Sequence, residues 1–243
     1  DLKVNEIIIK RITEKYKEVN WNILSEENVK SNPTFCDVNS DWLWILDPLD
    51  GTKDFIQGTK NYAMHLSLNY RNKPCIGIVL IPERDELWIA DEEKVWCERK
   101  DKSIKEPYLL NKKSLGEMTI VTSKNNSNNT LRTLLDKIGF KEKIVMGSIG
   151  CKIASILRGD SDIYICLSLP GKSSPKDWDF SAPEIILKNA GGAITTLDNQ
   201  ELIYGKSNFV QGGIIIASNN NIYHGEFCSQ IKEIIKKYEL YPL

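Results

Sequence analysis

The first apolar positions along the chain keep a helical period. Val4, Ile8, Ile12 and Tyr16 recur with Lys and Glu between them, which predicts an amphipathic helix over 3–17. A short apolar strand, Trp21-Asn22-Ile23-Leu24, then runs into Ser25-Glu26-Glu27, and 28–40 is polar and rich in turn formers. Trp42 to Leu46 reads as a buried strand ending at Asp47. Alternation follows: 63–70, 75–81, 86–90 and 94–97 read as a meander, with Arg71-Asn72-Lys73 and Pro82-Glu83-Arg84-Asp85 at its turns.

After about residue 110 the pattern changes to strand–helix alternation. Strand 118–122, helix 128–138, strand 144–146, helix 151–158 and strand 162–166 come first, and Asn125 to Asn129 reads as a polar loop. Helix 179–189, strands 193–197 and 213–217, and helix 221–238 complete the series. This predicts an α/β chain, an α+β half over 1–110 followed by an α/β half over 111–243.

Composition narrows the chemistry. The chain has 243 residues, enough for a sizeable core, and its formal charge of −1 shows no basic excess for a nucleic-acid polymer or membrane surface. The longest apolar runs are short, such as Ile214 to Ala217, so no bilayer-spanning helix is expected. Six scattered cysteines form no C-x-x-C pair, which argues against a zinc cluster or disulfide framework and for a reducing cytoplasm. The chain opens at Asp1 rather than Met, directly on a helical pattern, so a preceding segment is expected. The two histidines, His65 and His224, lie far apart and read as packing or surface residues. If the chain is an enzyme, its chemistry must run on carboxylates, hydroxyls and lysines, and hard oxygen ligands favour magnesium, manganese or calcium.

The chemistry concentrates in Asp47-Pro48-Leu49-Asp50-Gly51-Thr52-Lys53-Asp54. A hydrophobic strand delivers Asp47, and Pro48 stiffens the turn so that Asp47 and Asp50 can converge. Leu49 can offer only its backbone carbonyl, itself a good magnesium ligand. Gly51 permits a sharp turn, and the amides of Gly51 and Thr52 would open a short helix suited to phosphate. Each of these residues also favours plain turns. Likewise Asp179, in Trp178-Asp179, and Asp1 can be read as simple helix N-caps.

Taken together, Ser25-Glu26-Glu27, Asp47-Pro48-Leu49-Asp50-Gly51-Thr52 and Trp178-Asp179 with Ala190-Gly191-Gly192 resemble the inositol monophosphatase superfamily. Ser25-Glu26-Glu27, Lys53 and Gly147-Ser148-Ile149-Gly150-Cys151-Lys152 look most like its CysQ-type 3′(2′),5′-bisphosphate nucleotidases. Asp54 and Pro183 depart from that subfamily's pattern.

The resemblance implies a layered αβαβα sugar-phosphatase-like fold and two or three Mg2+ per site. Glu26, Asp47, Leu49 (through its carbonyl), Asp50 and Asp179 would hold metal, with a third, weaker ion between Glu26 and Asp1. Thr52, hydrogen-bonded to Asp1, would position and deprotonate water. Gly51, Thr52, Lys53, Gly147, Ser148 and Lys152 would meet substrate, Lys152 pairing with a second phosphate or remaining a solvated surface lysine. The implied activity is hydrolysis of 3′-phosphoadenosine 5′-phosphate to AMP and phosphate. Inositol monophosphatase and fructose-1,6-bisphosphatase are the alternatives, a catalytically silent binding protein a remote one, and a homodimer is left open. Haloacid-dehalogenase phosphatases fit less well, because two residues separate Asp47 from Asp50 where that motif has one.

Overall fold

The computed structural model describes residues 1–32, 40–107, 113–124 and 128–242. The first half builds a seven-stranded sheet in sequence order: β1 (Asn22–Ser25), β2 (Trp42–Asp50), β3 (Ala63–Tyr70), β4 (Lys73–Ile81), β5 (Glu86–Ala90), β6 (Val95–Glu98) and β7 (Ile104–Lys105). β1 pairs parallel with β2, and every later neighbour is antiparallel. The tight β3–β4 turn places Arg71 and Asn72 at positive φ. On β3 and β5 strict alternation of buried and more accessible residues marks a sheet with one face in the core.

The second half builds a five-stranded sheet ordered β11-β12-β10-β8-β9 from β8 (Thr119–Ser123), β9 (Glu142–Met146), β10 (Ile163–Leu167), β11 (Ala193–Thr196) and β12 (Ile214–Ser218). The helices are α1 (Leu2–Lys15), α2 (Glu26–Ser31), α3 (Thr52–Ile56), α4 (Asn129–Ile138), α5 (Ile149–Leu157), α6 (Asp177–Asn189) and α7 (Asn221–Lys237). α5 and α6 contact strands of both sheets, α1 and α2 pack on β2, and α4 meets α7, which packs on β12. The order of layers is thus helix, sheet, helix, sheet, helix.

One apolar cluster fills the space around α5 and α6, with Trp88, Tyr164, Phe180 and Tyr204 almost fully buried. A second lies beneath α4 and α7, and a small third joins Leu24, Leu43 and Ile45 to Trp178 and Phe209. α6 is buried along nearly all its length, which suits its position between sheets. Gly77 on β4 permits that approach, since a Cβ there would lie 2.3 Å from Ile185 Cγ2.

Several expectations change. The tract 28–40 holds a helical turn, because Glu26–Ser31 forms α2; residues 33–39 of it lie outside the described residues. The boundary near 110 and most of the 125–129 loop also lie outside them. The stripe on α1 buries little: Val4 and Tyr16 are exposed, and only Asn5 and Ile12 are buried. α1 is tied down instead by polar contacts, Asn5 bonding Asn28 and receiving the Ser25 hydroxyl. Among the described residues, Cys75, Cys97, Cys151, Cys166 and Cys228 are free thiols, and no helix is long and apolar enough to cross a membrane.

Candidate active site

Asp47 and Asp50 are three residues apart on β2, and in a regular strand their side chains would point to opposite faces. Asp47 pairs with His65 and Asp50 with Ala63, so three steps on β2 match two on β3. This β-bulge lets both carboxylates converge. Pro48 occupies the bulge, where the ladder needs no N–H. β2 therefore continues through Asp50 instead of ending at Asp47. Gly51 follows at φ +88 as the N-cap of α3, and a Cβ there would press within 2.9 Å of the Asn61 carbonyl. Asp179 arrives from the first turn of α6, and one oxygen each from Asp47, Asp50 and Asp179 lies within 4.8 Å of the others.

Each carboxylate is pinned through one oxygen. Asp47 Oδ1 accepts from Leu49 N at 3.0 Å, and Asp179 Oδ2 accepts from Lys176 N at 2.6 Å. Asp50 Oδ2 accepts from Ser148 Oγ at 2.7 Å, Ile149 N at 2.5 Å and Gly150 N at 3.1 Å, all at the start of α5. Among the described residues the second oxygen of each accepts no hydrogen bond. Three rigid carboxylates, each with a free oxygen, make a hard-oxygen site that fits a divalent cation.

Electrostatics agree. Burial, then the charges of Asp50, Asp179 and Glu26, push the Asp47 carboxyl well above its usual range. Burial and the Asp50 charge raise Asp179 to about 7. Burial also works against the Asp50 anion, but His65 and the hydrogen bonds outweigh it and hold Asp50 at about 2. A cation would relieve the strain the first two report.

His65 was expected to be packing or surface and is neither alone. It is 1% exposed, with Nε2 3.2 Å from Asp50 Oδ2 and Nδ1 3.2 Å from the Trp178 carbonyl. The Asp50 contact is a charge pair rather than an aligned hydrogen bond. The burial pattern of β3 puts His65 on the strand's buried face, and its partners come from β2 and α6. Asp54 is buried with Thr59 Oγ1 on its Oδ1, and Gly147 packs so close that a Cβ would overlap the Asp54 carboxylate.

The other expected residues divide. Glu26 opens α2 and pairs with Lys30 at 3.1 Å; it stands outside the three-carboxylate cluster, though its charge reaches Asp47 and Asp179. Thr52 does not bond Asp1, and this corrects the expected pairing: its hydroxyl donates to the Leu49 carbonyl at 3.0 Å, within the same turn. Asp1 precedes α1 without a side-chain capping bond, and its backbone carbonyl accepts from Asn5 N. Lys152 is no surface lysine: it is 3% exposed, donates to the Ser148 carbonyl at 3.0 Å and lies over the Tyr164 ring. Ser148 itself sits at φ 51, a costly conformation for serine, and caps α5 through Cys151 N.

Glu26, Asp50, Gly51, Thr52, Lys53, Gly147, Ser148, Lys152 and Asp179 line one cavity of about 900 Å³. Lys30, Lys124, Lys172 and Lys176 add positive charge around it, and Leu131, Ile165, Leu167 and Leu169 form an apolar wall.

The model of the inositol monophosphatase family matches residues 1–236. This chain belongs to that family. It is 31% identical over 167 residues to the 3′(2′),5′-bisphosphate nucleotidase CysQ of Buchnera aphidicola, covering 69% of this chain and 60% of that protein's length. It is 28% identical over an alignment of 256 residues to the 3′(2′),5′-bisphosphate nucleotidase of Dictyostelium discoideum, covering 90% of this chain and 75% of the relative. The inositol monophosphatase-II of Staphylococcus aureus superposes with a TM-score of 0.77 at 22% identity, over 100% of this chain and 86% of that one, and shows the same layered fold. Family and relatives together indicate a phosphomonoesterase.

Proposed function

We propose that this chain is a magnesium-dependent 3′(2′),5′-bisphosphate nucleotidase that takes 3′-phosphoadenosine 5′-phosphate to AMP and phosphate. The observation that carries the reading is the cavity. Asp50 and Asp179 of the three-carboxylate cluster stand at one side together with Glu26, several lysines surround it, and an apolar wall is available to a flat base. A polyol such as inositol would leave Leu131, Ile165, Leu167 and Leu169 facing hydroxyl groups. The nucleotidase relatives point the same way.

Asp47, Asp50 and Asp179 would hold the metal, with the Leu49 carbonyl and Glu26 as further oxygen donors. Two or three Mg2+, when bound, supply the charge that activates water and steadies the leaving oxygen. The protein's own groups do the rest. Thr52 donates its hydroxyl hydrogen bond to the Leu49 carbonyl, so its oxygen can accept a hydrogen bond from water and orient it toward phosphorus. The amides of Gly51 and Thr52 would hold the phosphate oxygens as charge shifts onto them. Asp1, unbonded to Thr52, would serve the neighbourhood of Glu26. Lys152 and Lys53 would face the phosphate that is kept, with Gly147 and Ser148 shaping the turn between them. Water adds to phosphorus, the ester oxygen leaves as an alcohol, and the products are AMP and inorganic phosphate.

A phosphate-release panel tests this, run with Mg2+ on the adenosine bisphosphate, inositol 1-phosphate and fructose 1,6-bisphosphate. The bisphosphate nucleotide should give a kcat/KM at least about tenfold above the others, the size of one charged hydrogen bond. A preference for inositol 1-phosphate would overturn the substrate and keep the class. No release from any of them, or full release in excess chelator, would overturn the mechanism. Lys152→Met should raise KM for the nucleotide more than it lowers kcat, as expected for uniform binding.

A further inference from the structure

His65 lies where the three carboxylate-bearing segments meet. Its backbone pairs with Asp47 across β2 and β3. Its Nε2 contacts Asp50, and its Nδ1 faces the carbonyl of Trp178, the residue before Asp179. Carbonyl and carboxylate are both acceptors, so the ring is set between two groups that each call for a donor. Along the same face of β3, Ser67 donates to Ser181 at 2.7 Å, and Ser181 donates to Asn69 at 2.9 Å. All three are fully buried, and this polar seam holds α6 against the strand in one register. Gly150 completes the enclosure, since a Cβ there would fall 2.3 Å from His65 Nε2. The start of α5 can close over the ring only because Gly150 has no side chain.

We propose that His65 is a positioning residue for the carboxylate cluster, tying Asp50 to the α6 turn that carries Asp179 and so setting the spacing of their free oxygens. The proposal rests on reading that cluster as a divalent-cation site. Asp50 keeps its three donors from α5 without the ring. What vanishes with His65 is the link between Asp50 and α6. A residue that only filled space could be replaced by any side chain of similar volume. A tie of this kind requires a donor at the position of Nε2 or Nδ1.

The test measures Mn2+ binding to the substrate-free protein by calorimetry, for the parent, His65→Leu, His65→Gln and Gly150→Ala. Removing a partner that orients a metal ligand typically weakens affinity about 10- to 100-fold. That loss is expected for His65→Leu, with KM at saturating metal little changed. His65→Gln keeps a donor near the Nε2 position but no charge to pair with Asp50, and should recover part of the affinity. Gly150→Ala keeps the ring but pushes it aside and should also weaken binding. Equal Mn2+ affinity in the parent, His65→Leu and His65→Gln would overturn the proposal. If His65→Leu does not fold, parent-like affinity in both His65→Gln and Gly150→Ala overturns it. A parent that binds no Mn2+ overturns the cluster reading together with this one, which separates the two failures.

Discussion

His224 and His65 are each 1% exposed, and each touches a partner through both ring nitrogens. His224 lies on α7, with Nδ1 2.7 Å from Ser218 Oγ and Nε2 2.8 Å from Thr195 Oγ1. Hydroxyls can donate or accept, so a neutral ring is satisfied there. Burial, with nothing opposing it, drives the pKa of His224 down to about 4. His65 has a carbonyl and a carboxylate instead; burial again pulls downward and is the largest single effect, but Asp50, the Trp178 carbonyl and the Asp179 charge together outweigh it and the pKa rises. The depth is the same and the outcome opposite. The difference separates a region built to stay neutral and rigid, around β11, β12 and α7, from one that concentrates charge, around β2, β3 and α6.

The sharpest way to break this contrast is at Asp47. Asp47→Asn removes the charge of the most buried carboxylate in the cluster while keeping its shape. Activity should fall on the order of 10³-fold or more, as for loss of a principal electrostatic group. The metal-free variant should be at least as stable as the parent, because a raised carboxyl pKa means the fold disfavours that charge. Steady-state kinetics and chemical denaturation in chelator read both outcomes, and activity within tenfold of the parent would remove Asp47 from the chemistry.

The two regions should also respond to pH with opposite sign. Asp179 is raised from 3.8 to about 7, so the metal-free fold binds more protons than the unfolded chain and loses stability as pH rises through that window. His224 is lowered from 6.5 to about 4, so its contribution is present above about 6.5 and is lost as pH falls toward 4. Each effect is on the order of a few kcal/mol at most. Because the two windows nearly coincide, the contributions oppose each other in the metal-free parent, and urea denaturation in chelator from pH 4 to 8 should show a shallow profile. Mg2+ should remove the falling contribution and leave stability rising with pH, and His224→Gln should remove the rising one and leave it falling.

Much of this was legible from residue order. The alternation along 63–70 and 86–90 gave β3 and β5 their bounds, because a half-buried strand writes its two faces into every second residue. Asp47, Asp50 and Asp179 were legible because turn chemistry, metal chemistry and family resemblance all fell on them. His65 was not, since local alternation says that a residue points inward and says nothing of what it meets there. Its partners lie 15 residues back, at Asp50, and 113 residues on, at Trp178. The Thr52–Asp1 bond failed for the converse reason. A hydroxyl three residues beyond a carbonyl in a tight turn finds that carbonyl first.

The smallest expected effect lies in the neutral region. Thr195→Val keeps nearly the same volume on β11 and removes only the hydroxyl facing His224 Nε2. The ring is buried, so that nitrogen would be left without a partner and would not be rescued by solvent. Leaving one such group unsatisfied costs about 1–3 kcal/mol, and the low end applies because Ser218 still holds Nδ1. A loss near 1 kcal/mol should lower Tm by roughly 2–4 °C for a chain of this size. Phosphate release per folded molecule should stay at the parent value, because the lost contact joins β11 to α7 and touches no residue of the carboxylate cluster. Calorimetry and initial rates on the same preparation read both quantities. A fall in kcat with Tm unchanged would mean that the two regions communicate, and the division between a neutral scaffold and a charged site would have to be redrawn.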